Sequence, residues 1–244
     1  MSFEKIKFGI DVLDDVLPDG VPRASFIIFA GPGGSGKTIL TMLIARQFLL
    51  RKEPVIYVIF DDDPASLMNI LQSQGVDIYS YISERLLMIV DGFSFRIKEK
   101  KGKVHVAVLE EVDPMNTEQV LHTITQLIDK IETKNRGLVV IDSLNELITY
   151  HGYIKVGEFV KNIRANISKY RGILTVAIIH TSHKKAKRFQ SFIEHVVDGV
   201  IYVDQQYKDS ELLRYIMVKR MKGVRHKTEK IMFTITQNGI EKVI

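Results

Sequence analysis

The sequence contains no cysteine. That absence excludes a disulfide framework and any zinc or iron–sulfur centre held by thiolates. It has no apolar run approaching the roughly 18 residues of a membrane-spanning helix, so no membrane span is expected. The opening MSFEKIKFGIDVL carries acids early and lacks an apolar stretch bounded by small residues, which argues against a secretory signal. There is no internal repeat and no low-complexity linker. With 45% apolar and 26% charged residues, what remains is the profile of a globular protein, and the cytoplasm is the expected compartment. Its 244 residues suffice for one large domain and fall short of two average ones, so 1–244 is read as a single unit.

Charge is abundant but unbalanced. The net charge is +5, concentrated in KEKKGK (98–103), HKKAKR (183–188) and KRMKGVRHK (219–227). Clustered basic charge suits a polyanionic partner, and solvated surface is the plainer alternative.

Apolar runs of strand length alternate with helical patterns. FIIFAG (26–31), VIYVIF (55–60), LLMIV (86–90), GLVVID (137–142) and ILTVAII (173–179) are apolar on both faces, as in a parallel sheet covered by helices. KVHVAVLEE (103–111) reads as a further strand or an edge piece. Helical spacing occupies 37–51, 64–74, 116–133 and 156–171. From about residue 195 the pattern becomes two hairpins, GVIYVDQQ with ELLRYIMVKR and KIMFTIT with IEKVI, the second turning at Asn238-Gly239. The expected fold class is α/β: a mainly parallel twisted sheet flanked by helices, extended by C-terminal antiparallel strands.

GPGGSGKT (31–38) follows the first strand and opens the first long helix. Its glycines, Gly31, Gly33, Gly34 and Gly36, let backbone amides turn inward around a phosphate. Lys37 supplies a charge for the β- and γ-phosphates, and the Thr38 hydroxyl is a magnesium ligand in such loops. A P-loop needs a second strand ending in an acid, and Asp142, at the end of LVVID, is that candidate for metal. FDDDPASL (60–67) places three more acids after a buried strand. Asp63 precedes proline and is read as a helix cap. Asp61 and Asp62 remain as carboxylates that can orient or deprotonate water. His151, His180, His183 and His195 have no metal-ligand spacing among themselves and are read as ordinary histidines.

GIDVLDDVLPDGVPRASFIIFAGPGGSGKT (9–38) resembles the opening of RecA-fold ATPases of the KaiC-like and archaeal RadA-paralogue group. FDDDPASLMNILQSQGVD (60–77), LVVIDS (138–143), HVVDGVIYVD (195–204), RMKGVRH (220–226) and FTITQNGI (233–240) resemble further segments of that family, in order. The resemblance implies a P-loop, RecA-like core acting as a homo-oligomeric ring or filament, or beside a recombinase partner, with ATP and Mg²⁺ between subunits. It places Ser35 and Ile39 with the phosphate loop and Ser73 at a nucleotide-contacting position. It places Arg220, Met221, Lys222, Val224 and His226 on a segment reaching a neighbour's γ-phosphate, and Thr236 and Gln237 beside base and ribose. Arg220 and Lys222 would stabilise charge as an arginine finger does.

Three departures stand out. The family's two glutamates are Asp61 and Asp62 here. Its Lys-x-Arg pair is reversed as Arg220-x-Lys222. His180 and Thr181 occupy a region where recombinases place an Asn-Gln pair. In recombinases, loops corresponding to 146–157 and 182–192 face DNA. The second carries Lys184, Lys185, Lys187 and Arg188 near Phe189 and Phe192, a set suited to single-stranded DNA. Two functions follow: an ATPase modulating DNA recombination or repair, or an ATP-binding regulatory module that organises protein partners with little hydrolysis. A small-molecule kinase is disfavoured because no acceptor site is apparent.

Overall fold

The computed structural model describes residues 4–99, 101–208, 211–236 and 239–243. In chain order the elements are β1 (Lys5–Ile6), α1 (Asp11–Val16), β2 (Val21–Pro22), β3 (Phe26–Gly31), α2 (Lys37–Leu50), β4 (Val55–Ile59), α3 (Pro64–Ser73), α4 (Ile78–Ser83), β5 (Leu87–Asp91) and β6 (Val108–Glu111). There follow α5 (Thr117–Lys130), β7 (Leu138–Asp142), α6 (Leu144–Ile163), a π-helical turn (Arg164–Lys169), β8 (Leu174–His180), α7 (Lys184–Ile193), β9 (Gly199–Lys208), β10 (Glu211–Met221), β11 (Ile231–Thr236) and β12 (Gly239–Lys242).

Ten strands form one sheet in the order β12-β11-β10-β9-β3-β8-β7-β4-β5-β6. From β9 through β3 to β6 all pairings are parallel, and β9 to β12 pair antiparallel. The sheet therefore has the expected class and the expected C-terminal hairpins, with KVHVAVLEE contributing the short edge strand β6. The expected turn at Asn238 lies outside the described residues. Among the described residues, no helix is long and apolar enough to cross a membrane.

Alternation along β3 explains why both faces are covered. Ile27 and Phe29 enter one apolar cluster with α1, α2 and α3. Phe26, Ile28 and Ala30 enter the other with α5, α6 and α7. A strand buried on both sides must be apolar at every position, and these five residues are fully buried.

Three sequence expectations need correction. The helix read over 156–171 begins at Leu144, where Ser143 accepts a hydrogen bond from the Asn145 amide. It bends at Gly152, whose φ of 72° lies in the left-handed region, and continues through the π-helical turn. The 146–157 segment is therefore helix and not loop. The 182–192 segment is also mostly helix: α7 buries Ala186, Phe189, Gln190 and Ile193, spaced three, one and three apart, so one stripe faces the core.

The two edges of the sheet differ. β3 begins beside Gly199, which pairs with Met221, and ends at Gly31, which pairs with His180. The carboxyl edge thus collects Gly31, Asp142, His180 and the β11–β12 end. The opposite edge collects residues 220–226.

Candidate nucleotide site

The loop between β3 and α2 turns through Gly34 (φ 77°) and Gly36 (φ 98°), a backbone that side chains with a Cβ adopt poorly. A Cβ on Gly31 would lie 1.8 Å from the Val203 carbonyl oxygen, so β9 can approach only a glycine. The loop is held from three sides. The Thr181 amide donates to Gly31 O (2.9 Å), the Gly33 amide to Ser182 Oγ (3.0 Å), and Arg214 Nε to Gly34 O (3.2 Å).

Lys37 is buried inside this loop, its Nζ donating to Pro32 O (2.6 Å) and Ser35 Oγ (3.2 Å). Burial pushes its ammonium down to about 8 against the opposing charges of Asp142 and Asp204. A cation held at a helix start by neutral oxygens suits an anionic ligand, for which it would exchange weak acceptors for charged ones.

Asp142 ends β7 and is buried. Tyr57 OH donates to its Oδ2 (3.3 Å) and is itself 3.0 Å from Thr41 Oγ1. Burial first, then the charge of Asp61, raises the Asp142 carboxyl to about 6, while His180, Thr38 and Tyr57 draw it down. Asp61, after β4, accepts from Ser143 Oγ and lies 3.4 Å from His180 Nε2. The Asn145 side chain holds the backbone of His180 from both sides, accepting from its amide (2.8 Å) and donating to its carbonyl (2.9 Å).

Thr38, Asp61, Asp62, Asp142, His180 and Tyr57 line one cavity of about 230 Å³. Thr38 and Asp142 supply the hard oxygen donors that suit Mg²⁺, beside a glycine-lined phosphate cradle, so the residues fit the pair ATP and Mg²⁺. A larger cavity of about 370 Å³ lies between α4, β5, β6 and α5 and contains none of these groups. Asp63 caps α3 as read, accepting from the Ala65 and Ser66 amides, and the Ser66 hydroxyl bond holds its carboxyl below the usual range.

The other sequence candidates scatter. Ile39 packs at the margin of the core beside the loop. Thr236 ends β11 on the carboxyl edge and donates to Glu241 (2.9 Å); its neighbour Ile235 would lie 3.0 Å from a Cβ on Gly36. Gln237 lies outside the described residues. Ser73 sits at the far end of α3, donating to Ile70 O, and does not line the cavity. Arg220, Met221, Lys222, Val224 and His226 leave the opposite edge of the sheet, so the chain does not bring them to its own loop. Arg220 donates to Glu194 O (2.9 Å), Met221 is buried against Gly199, and the Lys222 amide donates to Asp198 O (2.8 Å). His226 Nδ1 lies 3.3 Å from Val224 O.

Lys184, Lys185, Lys187 and Arg188 are exposed on α7, with no ion pair among the described residues. Phe189 is fully buried beneath them, and Phe192 is 45% exposed, its ring 6.4 Å from Tyr153.

His180, an ordinary histidine by its sequence spacing, and Tyr57, Ser143, Ser182, Asp204 and Arg214, which no motif singles out, also surround the loop and its acids. Position at a strand's carboxyl end was the usable signal for His180 and Ser143. Arg214 and Asp204 carry none: β9 brings Asp204 to the loop by its parallel pairing with β3, and the antiparallel register of β10 on β9 brings Arg214.

A family model described as the KaiC ATPase matches residues 6–243. A UPF0273 protein of Methanopyrus kandleri is 27% identical over 98% of this chain and 92% of its own length. One from Thermotoga maritima is 28% identical over 97% of this chain and 95% of its own. The crystal structure of a KaiC-like protein from Pyrococcus horikoshii covers all of both chains with a TM-score of 0.78 at 24% identity, a likeness of fold. With the P-loop, the acid-tipped strands and this full-length match in place, the chain belongs to the KaiC ATPase family and has its RecA-type fold.

Proposed function

We propose that this chain binds Mg·ATP in the 31–38 loop and turns it over slowly, as a ring or filament in which a neighbouring copy completes each site. The reading is carried by the meeting of Thr38, Asp142, Asp61 and Asp62 at one cavity beside Lys37. Gly33, Gly34, Ser35 and Gly36 present amides to the phosphates, and Lys37 moves from Pro32 O to a phosphate oxygen. Thr38 and Asp142 hold the metal, which when bound neutralises charge developing on the phosphates. Asp61 orients water, with Ser143 and His180 fixing its carboxylate; Asp62, tied to the Asp63 amide at 2.8 Å, is the second acid. Thr236, at the carboxyl-edge end of β11, serves the base and ribose, and Ile39 belongs with the phosphate loop. Arg220 and Lys222, which point away from the chain's own loop, act on the next copy.

The setting we favour is DNA recombination or repair, as for a RadA paralogue. The four cations of α7, which have no ion pair among the described residues, support it. They begin directly after His183, two residues beyond Ser182, which accepts from the Gly33 amide. The alternative, a regulatory module that organises protein partners, is supported by the short acids: aspartates reach one methylene less far than glutamates. Phosphate release from Mg·ATP, with and without single-stranded DNA and with Lys37→Ala as blank, separates them. Turnover above the blank and raised by DNA is expected. ATP binding without turnover in either condition would leave the regulatory reading, and equal ATP binding by Lys37→Ala would remove both.

A further inference from the structure

Asp61, Asp142 and His180 come from the ends of three different strands, yet each offers a ligand atom within 4.8 Å of the others. Two carboxylates this close repel, and Asp142 is buried. Each member also has an outer partner that fixes its direction. Ser143 Oγ donates to Asp61, Tyr57 OH donates to Asp142, and the Asn145 side chain clamps the backbone of His180. Such outer contacts orient ligands in built metal sites. The cavity of about 230 Å³ opens onto all three, and Asp61 and His180 are partly exposed, which gives a cation an entry path.

We propose that Asp61, Asp142 and His180 form a divalent-cation site that selects a transition metal over Mg²⁺ and fills without nucleotide. The chemistry of the donors sets the selection. Mg²⁺ favours oxygen ligands and keeps its water, whereas an imidazole nitrogen beside two carboxylates suits Mn²⁺, Co²⁺ or Zn²⁺. Ligand bonds of about 2.0–2.2 Å require donor atoms at most about 4.4 Å apart. The three ligand atoms lie within 4.8 Å of one another, and Asp61, the more exposed carboxylate, already stands 3.4 Å from His180 Nε2. The site shares Asp142 with the proposed Mg·ATP site and rests on that reading only for this overlap. A cation placed here would hold Asp61 as a ligand and withdraw it from water.

The test is titration of nucleotide-free protein with MnCl₂, reading free Mn²⁺ by electron paramagnetic resonance, and a parallel calorimetric titration with MgCl₂. One Mn²⁺ per chain is expected, bound on the order of tenfold or more tighter than Mg²⁺. His180→Ala and Asp61→Asn should each weaken Mn²⁺ by about tenfold or more, the scale for disturbing a ligand shell, and His180→Ala should leave Mg²⁺ unchanged. Circular dichroism confirms that each variant is folded. Absence of Mn²⁺ binding, equal affinity for Mg²⁺, or binding indifferent to both variants would overturn the proposal. Lys37→Ala keeps the failures distinct: it should abolish ATP binding and leave Mn²⁺ binding intact, so either reading can fail alone.

Discussion

At the scale of single residues, the site is assembled against stability. Asp142 illustrates this with a definite sign. Burial and the Asp61 charge raise its folded carboxyl to about 6 from an ordinary 3.8, so between those values the folded chain holds more protons than the unfolded chain. Stability contributed by this group therefore falls as pH rises from about 4 through 6, and above 6 the whole cost is present. Asp142→Asn keeps the shape and the acceptor for Tyr57 but removes the charge. In metal- and nucleotide-free protein at pH 7.5 it should be more stable than the parent by roughly 1–3 kcal/mol. That corresponds to a thermal midpoint several degrees higher. The difference should shrink as pH drops from 6.5 to 4.5. Calorimetry across that range checks it, and a variant no more stable than the parent at pH 7.5 would contradict the account. The same variant should lose the metal dependence of ATP binding. Lys37 works in the same sense: burial lowers it to about 8, so its cost is present below pH 8 and is relieved above it.

At the scale of elements, the strands were legible because a strand covered on both faces has to be apolar at every position. The five core strands follow directly from such runs. The P-loop and Asp142 were legible because their residue types and flanking elements are dictated by the chemistry. The family likeness makes 182–192 a loop, whereas Ala186, Phe189, Gln190 and Ile193 mark a helical stripe. His180 gives no local signal: its partners Asp142 and Asp61 lie about 40 and 120 residues away in the chain, and no local spacing reports such a meeting. The corrected α7 makes its own prediction. Its first two turns carry Lys184, Lys185, Lys187 and Arg188, the wrong sign for the positive end of a helix, and His183 gives no side-chain cap. Each exposed cation there costs about 0.3–1 kcal/mol, so Lys184→Glu together with Lys185→Glu should raise the thermal midpoint by a few degrees. If these cations serve single-stranded DNA, the same double variant should weaken binding strongly and flatten its salt dependence, since each lost phosphate contact removes about 0.7 from the log–log slope. A variant that is stabilised yet binds DNA with an unchanged slope would assign α7 to some other partner.

At the scale of the whole molecule, the sheet separates the P-loop from the basic segment 220–226, which the proposed assembly treats as two half-sites. The P-loop and its acids occupy the carboxyl edge of the strands. Residues 220–226 leave the opposite edge, beside the start of β3. Four cations, Arg164, Lys169, Arg220 and Lys222, gather there around Asp198. Asp198 accepts from Arg164 Nη2 at 2.8 Å and lies 3.0 Å from Lys169 Nζ. Burial lowers the Lys222 ammonium, with Arg164, Arg220 and Lys169 adding to the effect. In the proposed assembly these cations would face the triphosphate held at the carboxyl edge of another copy. Contact between unlike edges is head-to-tail, which closes into a ring or runs on as a filament. Two inactive variants can then restore each other. Lys37→Ala keeps an intact 220–226 segment, and Arg220→Ala with Lys222→Ala keeps an intact P-loop. Each alone should lose turnover by a factor of 100 or more, on the scale of removing an arginine finger. In a random equimolar mixture about a quarter of the head-to-tail junctions pair a working loop with a working segment, so about a quarter of the parent activity should return. Phosphate release measured against mixing ratio gives the answer, with a maximum at equal amounts. A mixture as inactive as its parts, while both variants still assemble by size-exclusion chromatography, would show that Arg220 and Lys222 serve their own chain and that the site is complete within one copy.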